Sequence, residues 1–462
     1  MTTLWNGRFA GDPHRGAFEF GRSLPFDRRL FEEDVTGSLA WAGALAAAGV
    51  LDRDEHERLA RALEALLERF RADPSLADTD DEDVHSLVER LLVEEVGDAG
   101  RRLHTGRSRN DQVSLDLRLY LRRRIPLLQG GAVRLAAALI EQAERAGGAV
   151  MPAYTHARRA QPVLVAHYLL AHVAALRRDH ARLASAADEA DALPLGSGAV
   201  AGSAFAVDVA GLARRLGFSR LVANSIDASS DRDFVSSFLH GSALLMVHLS
   251  RLAEDLVLFT GEEYGFFELA DEVSTGSSML PQKKNPDPLE LVRGKSGRVI
   301  GRLAGWLATM KGLPSGYNKD LQEDKEAVFE AEDTVAASLA AAETVVRTLR
   351  LDERRTAAAA GGLLLATDIA DYLARRGEPF RGAHALVGRI VRDLLPGGRD
   401  FGCLSLAEWR AYSDRFGADI IELVSPAASV AAKRTPQSTN PAEVRRALMD
   451  ARAWVAAHEA TS

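Results

Sequence analysis

Leu244-Leu245-Met246-Val247-His248-Leu249-Ser250-Arg251-Leu252-Ala253-Glu254-Asp255-Leu256-Val257-Leu258-Phe259 sets its apolar residues at helical intervals. Leu244, Leu245, Leu249, Leu252, Leu256 and Phe259 recur at helical spacing, while Arg251, Glu254 and Asp255 fall elsewhere on the turn. The stretch reads as a buried amphipathic helix. Proline spacing extends that reading outward, because proline is poorly tolerated in a helix interior. No proline occurs from 75 to 125, 163 to 193, 195 to 280 or 315 to 378, and these gaps are filled with Ala, Leu, Arg and Glu. A helix filling 163–193 would be roughly 45 Å long, the length of a bundle shaft. Alternating strand-like runs are scarce. The expected fold class is all-α, a long-helix bundle flanked by two smaller helical domains. The expected division is 1–110, 111–355 and 356–462, with no internal repeat and no Gly/Ser linker at either boundary.

Composition narrows the function classes. The 462 residues are 47% hydrophobic and 26% charged, enough for a large core, and no run approaches the roughly 18 apolar residues of a membrane span. No membrane role is expected, and no secretory signal is visible at Met1-Thr2-Thr3-Leu4-Trp5-Asn6. A net charge of −8 argues against a general nucleic-acid binder, and Arg122-Arg123-Arg124 reads as a solvated helix face or subunit contact. One cysteine, Cys403, excludes an internal disulfide and points to the reducing cytoplasm.

Four polar clusters interrupt the helical pattern and look like ends or edges of long helices. The first is Leu103-His104-Thr105-Gly106-Arg107-Ser108-Arg109-Asn110-Asp111-Gln112. The second is Tyr154-Thr155-His156-Ala157-Arg158-Arg159-Ala160-Gln161-Pro162. The third is Ser274-Thr275-Gly276-Ser277-Ser278-Met279-Leu280-Pro281-Gln282-Lys283-Lys284-Asn285-Pro286-Asp287-Pro288. Its prolines and glycine keep it from settling into a helix, while two serines, two lysines and an asparagine crowd into nine positions. The fourth is Leu313-Pro314-Ser315-Gly316-Tyr317-Asn318-Lys319-Asp320-Leu321-Gln322-Glu323-Asp324-Lys325-Glu326. Taken singly, each has a plain reading: His156 a structural histidine, Gly276-Ser277-Ser278 a turn, the charge runs helix faces. Four in one chain shift the balance toward an anion-handling site. Lys283-Lys284 does not complete a phosphate-binding Gly-x4-Gly-Lys-Ser/Thr loop, and no Cys or His spacing suggests a metal.

The third cluster closely resembles the signature Gly-Ser-Ser-x-Met-Pro-x-Lys-x-Asn-Pro of the fumarase/aspartase superfamily, whose lyases split a C–N or C–O bond and release fumarate. The stretches 104–112 and 316–326 resemble the argininosuccinate lyase family in particular. So do Trp5-Asn6-Gly7-Arg8-Phe9 and Ala366-Thr367-Asp368-Ile369-Ala370-Asp371-Tyr372-Leu373, so the similarity runs along nearly the whole chain. The resemblance implies C–N elimination of argininosuccinate to fumarate and L-arginine, the last step of arginine biosynthesis, without a cofactor. It also implies a homotetramer in which three subunits build each site. Such an elimination removes a weakly acidic proton beside a carboxylate, so the intermediate gathers negative charge that fixed donors must meet. Lys283 and Asn285 suit that task. Ser277 acts as base only if nearby cations and loop N–H groups stabilise its alkoxide, whereas His156 is the conventional acid/base group.

Carried over by position, Ser277 is the expected base and His156, paired with Glu290, the acid-side partner. Substrate contacts are expected from Ser23, Asn110, Thr155, Asn285, Tyr317, Gln322 and Lys325, with Arg109 and Lys283 meeting carboxylates. Departures from the family pattern are Met279-Leu280-Pro281 in the loop, Ala157 and Arg158 beside His156, and Trp41 where histidine is common. The competing readings are a sister lyase acting on adenylosuccinate, aspartate or malate, and a structural relic of the fold like the lens proteins of the family.

Overall fold

The computed structural model describes residues 14–459, and the Trp5-Asn6-Gly7-Arg8-Phe9 segment lies outside them. The helices that position the site are α1 (Phe31–Ala47), α2 (Val84–Val96), α3 (Arg109–Ala146), α4 (Val165–Ala190), α5 (Asp233–Thr260), α6 (Asp287–Met310) and α7 (Asp324–Thr348). Toward the C-terminus come α8 (Ala366–Arg375) and α9 (Phe380–Leu394). The all-α expectation holds, and the strands among the described residues form only two-stranded sheets. Two of these matter here: β1 (Val150–Thr155) with β2 (Arg158–Leu164), and β3 (Thr275–Gly276) with β4 (Lys284–Asn285). Among the described residues no single helix is long and apolar enough to cross a membrane.

The chain gathers into two compact units. One takes Met1–Gln129, Ala181–Leu244 and Gly297–Val335; the other takes Gly130–His180, Leu245–Ser296 and Ala336–Ser462. In the first, Tyr120 of α3 stands edge-on to Phe329 of α7 with ring centroids 5.0 Å apart and donates its hydroxyl to Glu332 at 3.0 Å. Trp306 of α6 donates its indole N–H to Ser236 of α5 at 3.0 Å. In the second, Gly131 of α3 lies so close to α7 that a Cβ there would meet Leu339 at 3.1 Å. Gln142 of α3 donates to the carbonyls of Val346 and Leu349 at 2.7 and 3.0 Å, capping carbonyls that the end of α7 leaves without helical partners. A separate apolar cluster joins Ile369 and Leu373 of α8 to Val387 and Ile390 of α9, with Trp409 and Phe416 buried against them.

Two details depart from simple spacing rules. Proline spacing marks 126 as an interruption, yet α3 runs through Pro126. Leu121, Ile125 and Leu128 around it are fully buried. At roughly 1.5–3 kcal/mol per buried side chain, their burial outweighs the ~3 kcal/mol that an interior proline costs. Trp41, the departure in α1, is also fully buried, and its indole N–H donates to the carbonyl of Thr105 at 3.2 Å. It therefore fastens α1 to the first polar cluster.

Candidate active site

Five of the expected residues converge on one cavity in the first unit. Ser23, Arg109, Tyr317, Gln322 and Lys325 line a space of about 190 Å³ together with Asp27, Glu82, Asp83, His85 and Lys319. Four of the five are fixed from behind. Ser23 donates to Asp27 at 2.5 Å, and the other oxygen of Asp27 accepts the Val84 N–H at the start of α2. Gln322 donates to the Gly21 carbonyl at 3.3 Å. Lys325 donates to Asp324 at 2.8 Å, and the buried Arg232 grips the other oxygen of Asp324 at 2.7 Å. Arg109, in the first turn of α3, stands 3.8 Å from both Asp83 and Glu89 and donates to Gln112 at 3.0 Å.

The electrostatics favour a ligand carrying both signs. Burial, and then the charge of Asp324, push the Tyr317 phenol up to about 12, so it remains a hydrogen-bond donor. Burial acts to raise Asp83, but the charge of Arg109 and the bonds from Ser86 outweigh it and hold the carboxyl below its ordinary range. Cationic donors and carboxylates thus share one pocket. Asn110 is not in this lining; its side chain donates to the Ala199 carbonyl at 3.3 Å.

The second unit presents Thr155, His156, Ser277, Lys283 and Asn285 on two ribbons and Glu290 on α6. The second polar cluster is a β-hairpin leading into α4, not a helix end, because Thr155 pairs with Arg158 and leaves His156 and Ala157 as a two-residue turn. That turn needs left-handed backbone at both central residues, and His156 and Ala157 adopt it at φ 53° and 54°. Thr155 and His156 are exposed at its tip. A Cβ in this region costs roughly 1–2 kcal/mol, and glycine removes that penalty at some loss of chain entropy. In calorimetry, Ala157→Gly is therefore expected to hold or raise Tm. Ala157→Val, β-branched at positive φ, is expected to lower it by several degrees for a cost of about 1 kcal/mol or more. A glycine variant less stable than the valine variant would refute the strain.

The third cluster folds as the β3–β4 ribbon, with Thr275 opposite Asn285 and Gly276 opposite Lys284. Thr275 donates to Asp287 at 2.6 Å, and Lys284 pairs with Asp271 at 2.8 Å. Lys284 thus braces the base of the ribbon while Lys283 is exposed near its tip. The Ser277 hydroxyl oxygen accepts the N–H groups of Leu280 and Met279 at 3.0 and 3.3 Å. Glu290 is exposed in the first turn of α6. Among the described residues neither His156 nor Glu290 makes a hydrogen bond or ion pair to Ser277 or to the other.

Some neighbours of the cavity gave no signal in the sequence. Asp34 of α1, His85 of α2 and Asp116 of α3 are fully buried, and one polar side-chain atom of each lies within 4.8 Å of the others. They come from three helices, so no local spacing announces them. Asp27 and Asp83 were hidden in the same way, as a helix-end carboxylate and the N-cap of α2.

Known proteins are similar to this chain along nearly its whole length. A family model described as lyase matches residues 7–301, and one described as argininosuccinate lyase C-terminal matches residues 363–431. An argininosuccinate lyase of Roseiflexus castenholzii is 47% identical over 455 residues, covering 98% of this chain and 100% of its own. One of Moorella thermoacetica is 47% identical over 458 residues, with 99% of each chain covered. Among solved structures, an EDDS lyase in complex with formate superposes with a TM-score of 0.84 at 26% identity, covering 98% of this chain and 93% of that one. The 3-carboxy-cis,cis-muconate lactonizing enzyme from Pseudomonas putida shares the fold, with a TM-score of 0.74 at 20% identity over 95% of this chain and 97% of its own. With both family models in order and near-complete coverage at 47% identity, the chain belongs to the argininosuccinate lyase family.

Proposed function

We propose that the protein cleaves argininosuccinate to fumarate and L-arginine by C–N elimination, as the last step of arginine biosynthesis in the cytoplasm. The observation that carries this reading is the mixed-sign cavity lined by Arg109, Lys325, Tyr317 and Gln322 alongside Asp27, Glu82 and Asp83. Such a cavity suits the amino-acid end of the substrate, whose carboxylate meets the donors and whose ammonium meets the acids. Lys283, Asn285 and Thr155 then meet the succinyl carboxylates. Ser277 takes the proton from the carbon next to a carboxylate, the C–N bond breaks, and the departing guanidine regains a proton from the side of His156 and Glu290. The balance needs no cofactor. The two loop N–H groups on the Ser277 oxygen are the kind of donors an alkoxide requires.

The working assembly is a homotetramer with sites shared between subunits. Supporting this, α6 carries Gly294, Gly297, Gly301 and Gly305, each opening onto empty space, with Leu291, Ile300 and Leu307 exposed beside them. That face lets a second copy of the chain approach closely. The exposed tips bearing His156 and Ser277 are then free to reach neighbouring copies.

The test is purified protein mixed in turn with argininosuccinate, adenylosuccinate, aspartate and malate, following fumarate by ultraviolet absorbance. Turnover of argininosuccinate alone is expected. Turnover of another adduct would keep the chemistry and change the substrate, and a folded tetramer inert toward all four would be a structural relic.

A further inference from the structure

Beneath the cavity lies a buried polar network that the proposed reaction does not use. Arg109 donates to the side-chain carbonyl of Gln112 at 3.0 Å. A guanidinium only donates, so the Gln112 oxygen faces Arg109 and its amide N–H must face the other way. That N–H donates to Asp34 Oδ1. The same oxygen stands 2.8 Å from His85 Nδ1, and His85 lines the cavity. Having received the amide N–H, Asp34 Oδ1 is an acceptor, so His85 Nδ1 bears a proton. Every donor in the network runs toward Asp34. Asp116 lies beside it, fully buried; neither of its oxygens receives a hydrogen bond, and Oδ2 stands 3.3 Å from His85 Nδ1, whose proton goes to the nearer Asp34.

We propose that Asp34, which lies outside the cavity, is the positioning residue for its Arg109 and His85 walls, and that Asp116 beside it is held as the neutral carboxylic acid. Two adjacent buried carboxyls do not both ionise, and the one that receives no hydrogen bond keeps the proton. The single negative charge left on Asp34 is balanced by the buried guanidinium of Arg107, which lines a small void together with Asp34 and His85. A divalent ion is the poorer reading of the same three side chains, because the His85 to Asp34 separation is already a hydrogen-bond length and Arg107 supplies positive charge. Burial, and then the neighbouring Asp34, push the Asp116 carboxyl well above its ordinary value.

The network rests on the lyase reading only for its kinetic consequence, so the test has two arms. The first needs no activity. The charged groups facing Asp116 are Glu33 and Asp34 from α1, His85 from α2 and Arg107. All persist in Asp116→Asn, so the comparison with wild type reads the Asp116 proton together with the groups coupled to it. A carboxyl with a raised folded pKa contributes stability that is full below its unfolded value and is lost as pH rises through the folded one. The Tm of Asp116→Asn minus that of wild type is thus expected to grow from pH 5 to pH 8. A difference that stays flat, or a stoichiometric divalent ion at the cluster by elemental analysis, would overturn the proton assignment.

The second arm is kinetic. Asp116→Asn is expected to leave KM unchanged, while Gln112→Glu, which cannot donate to Asp34, raises KM for argininosuccinate roughly tenfold or more with a smaller change in kcat. Asp34→Ala follows Gln112→Glu, and if it does not fold, Gln112→Glu alone decides. An unchanged KM in Gln112→Glu, or an equal rise in Asp116→Asn, would refute positioning. Wild type inert toward argininosuccinate but showing the growing Tm difference would sink the lyase reading and leave the buried proton standing.

Discussion

Ser277→Ala is expected to lower kcat on argininosuccinate by roughly 10²–10⁴-fold, the range a positioned proton-transfer group contributes. The fold should not notice the change. Ser277 sits on a two-stranded ribbon whose tip is open, with Met279 beside it 85% exposed, and the substitution removes one oxygen whose two N–H donors can turn to water. A surface change of that kind moves stability by no more than about 0.5 kcal/mol, so Tm should hold. KM should hold as well, because the proposed substrate contacts Arg109, Tyr317 and Lys325 lie on other elements. Loss of kcat at constant KM is the signature of a group acting only in the transition state. Ser278→Ala, at the exposed neighbour, is the control and should stay within about threefold of wild type. If Ser277→Ala also stays within that range, another group takes the proton and the ribbon serves binding alone.

The helices were legible because their signal is local. The apolar spacing of 244–259 lies inside α5, and the proline-free stretch 163–193 contains α4, Val165–Ala190. Burial of one stripe per turn is written directly into the sequence. The hairpin bearing His156 was less legible, since a two-residue turn of left-handed backbone usually announces itself with Asn-Gly, and His156-Ala157 hides it. The cavity was half legible. Polar runs at 103–112 and 313–326 stand out against helical sequence, and so Arg109, Tyr317, Gln322 and Lys325 could be named. Asp27, Asp83 and His85 could not, because a single polar residue on an amphipathic helix looks the same whether it faces water or a cavity. The two compact units also interleave segments more than a hundred residues apart, a pairing set by long-range contacts that composition does not record.

Mixing two inactive variants should restore activity. His156→Asn keeps a side chain that tolerates positive φ, so the hairpin survives while the acid/base group is lost. Ser277→Ala keeps everything except the ribbon hydroxyl. Each variant alone is expected to be inactive, because every site lacks one of the two groups. If a site draws His156 from one subunit and Ser277 from another, dissociating and reassociating an equal mixture leaves one site in four with both groups native. Recovery of about a quarter of wild-type activity is then expected from random tetramers. The reason lies in each chain, where His156 is exposed, Ser277 is half-buried on an open ribbon, and the two are unconnected, Ser277 bonded only to its own loop. The measurement is activity before and after reassociation, with the mass of mixed tetramers confirmed by native mass spectrometry. Mixed tetramers with no recovered activity would mean that His156 and Ser277 serve a site from the same subunit, or that one of them is not needed there. The single variants tell those apart, since a dispensable residue would have left its own variant active.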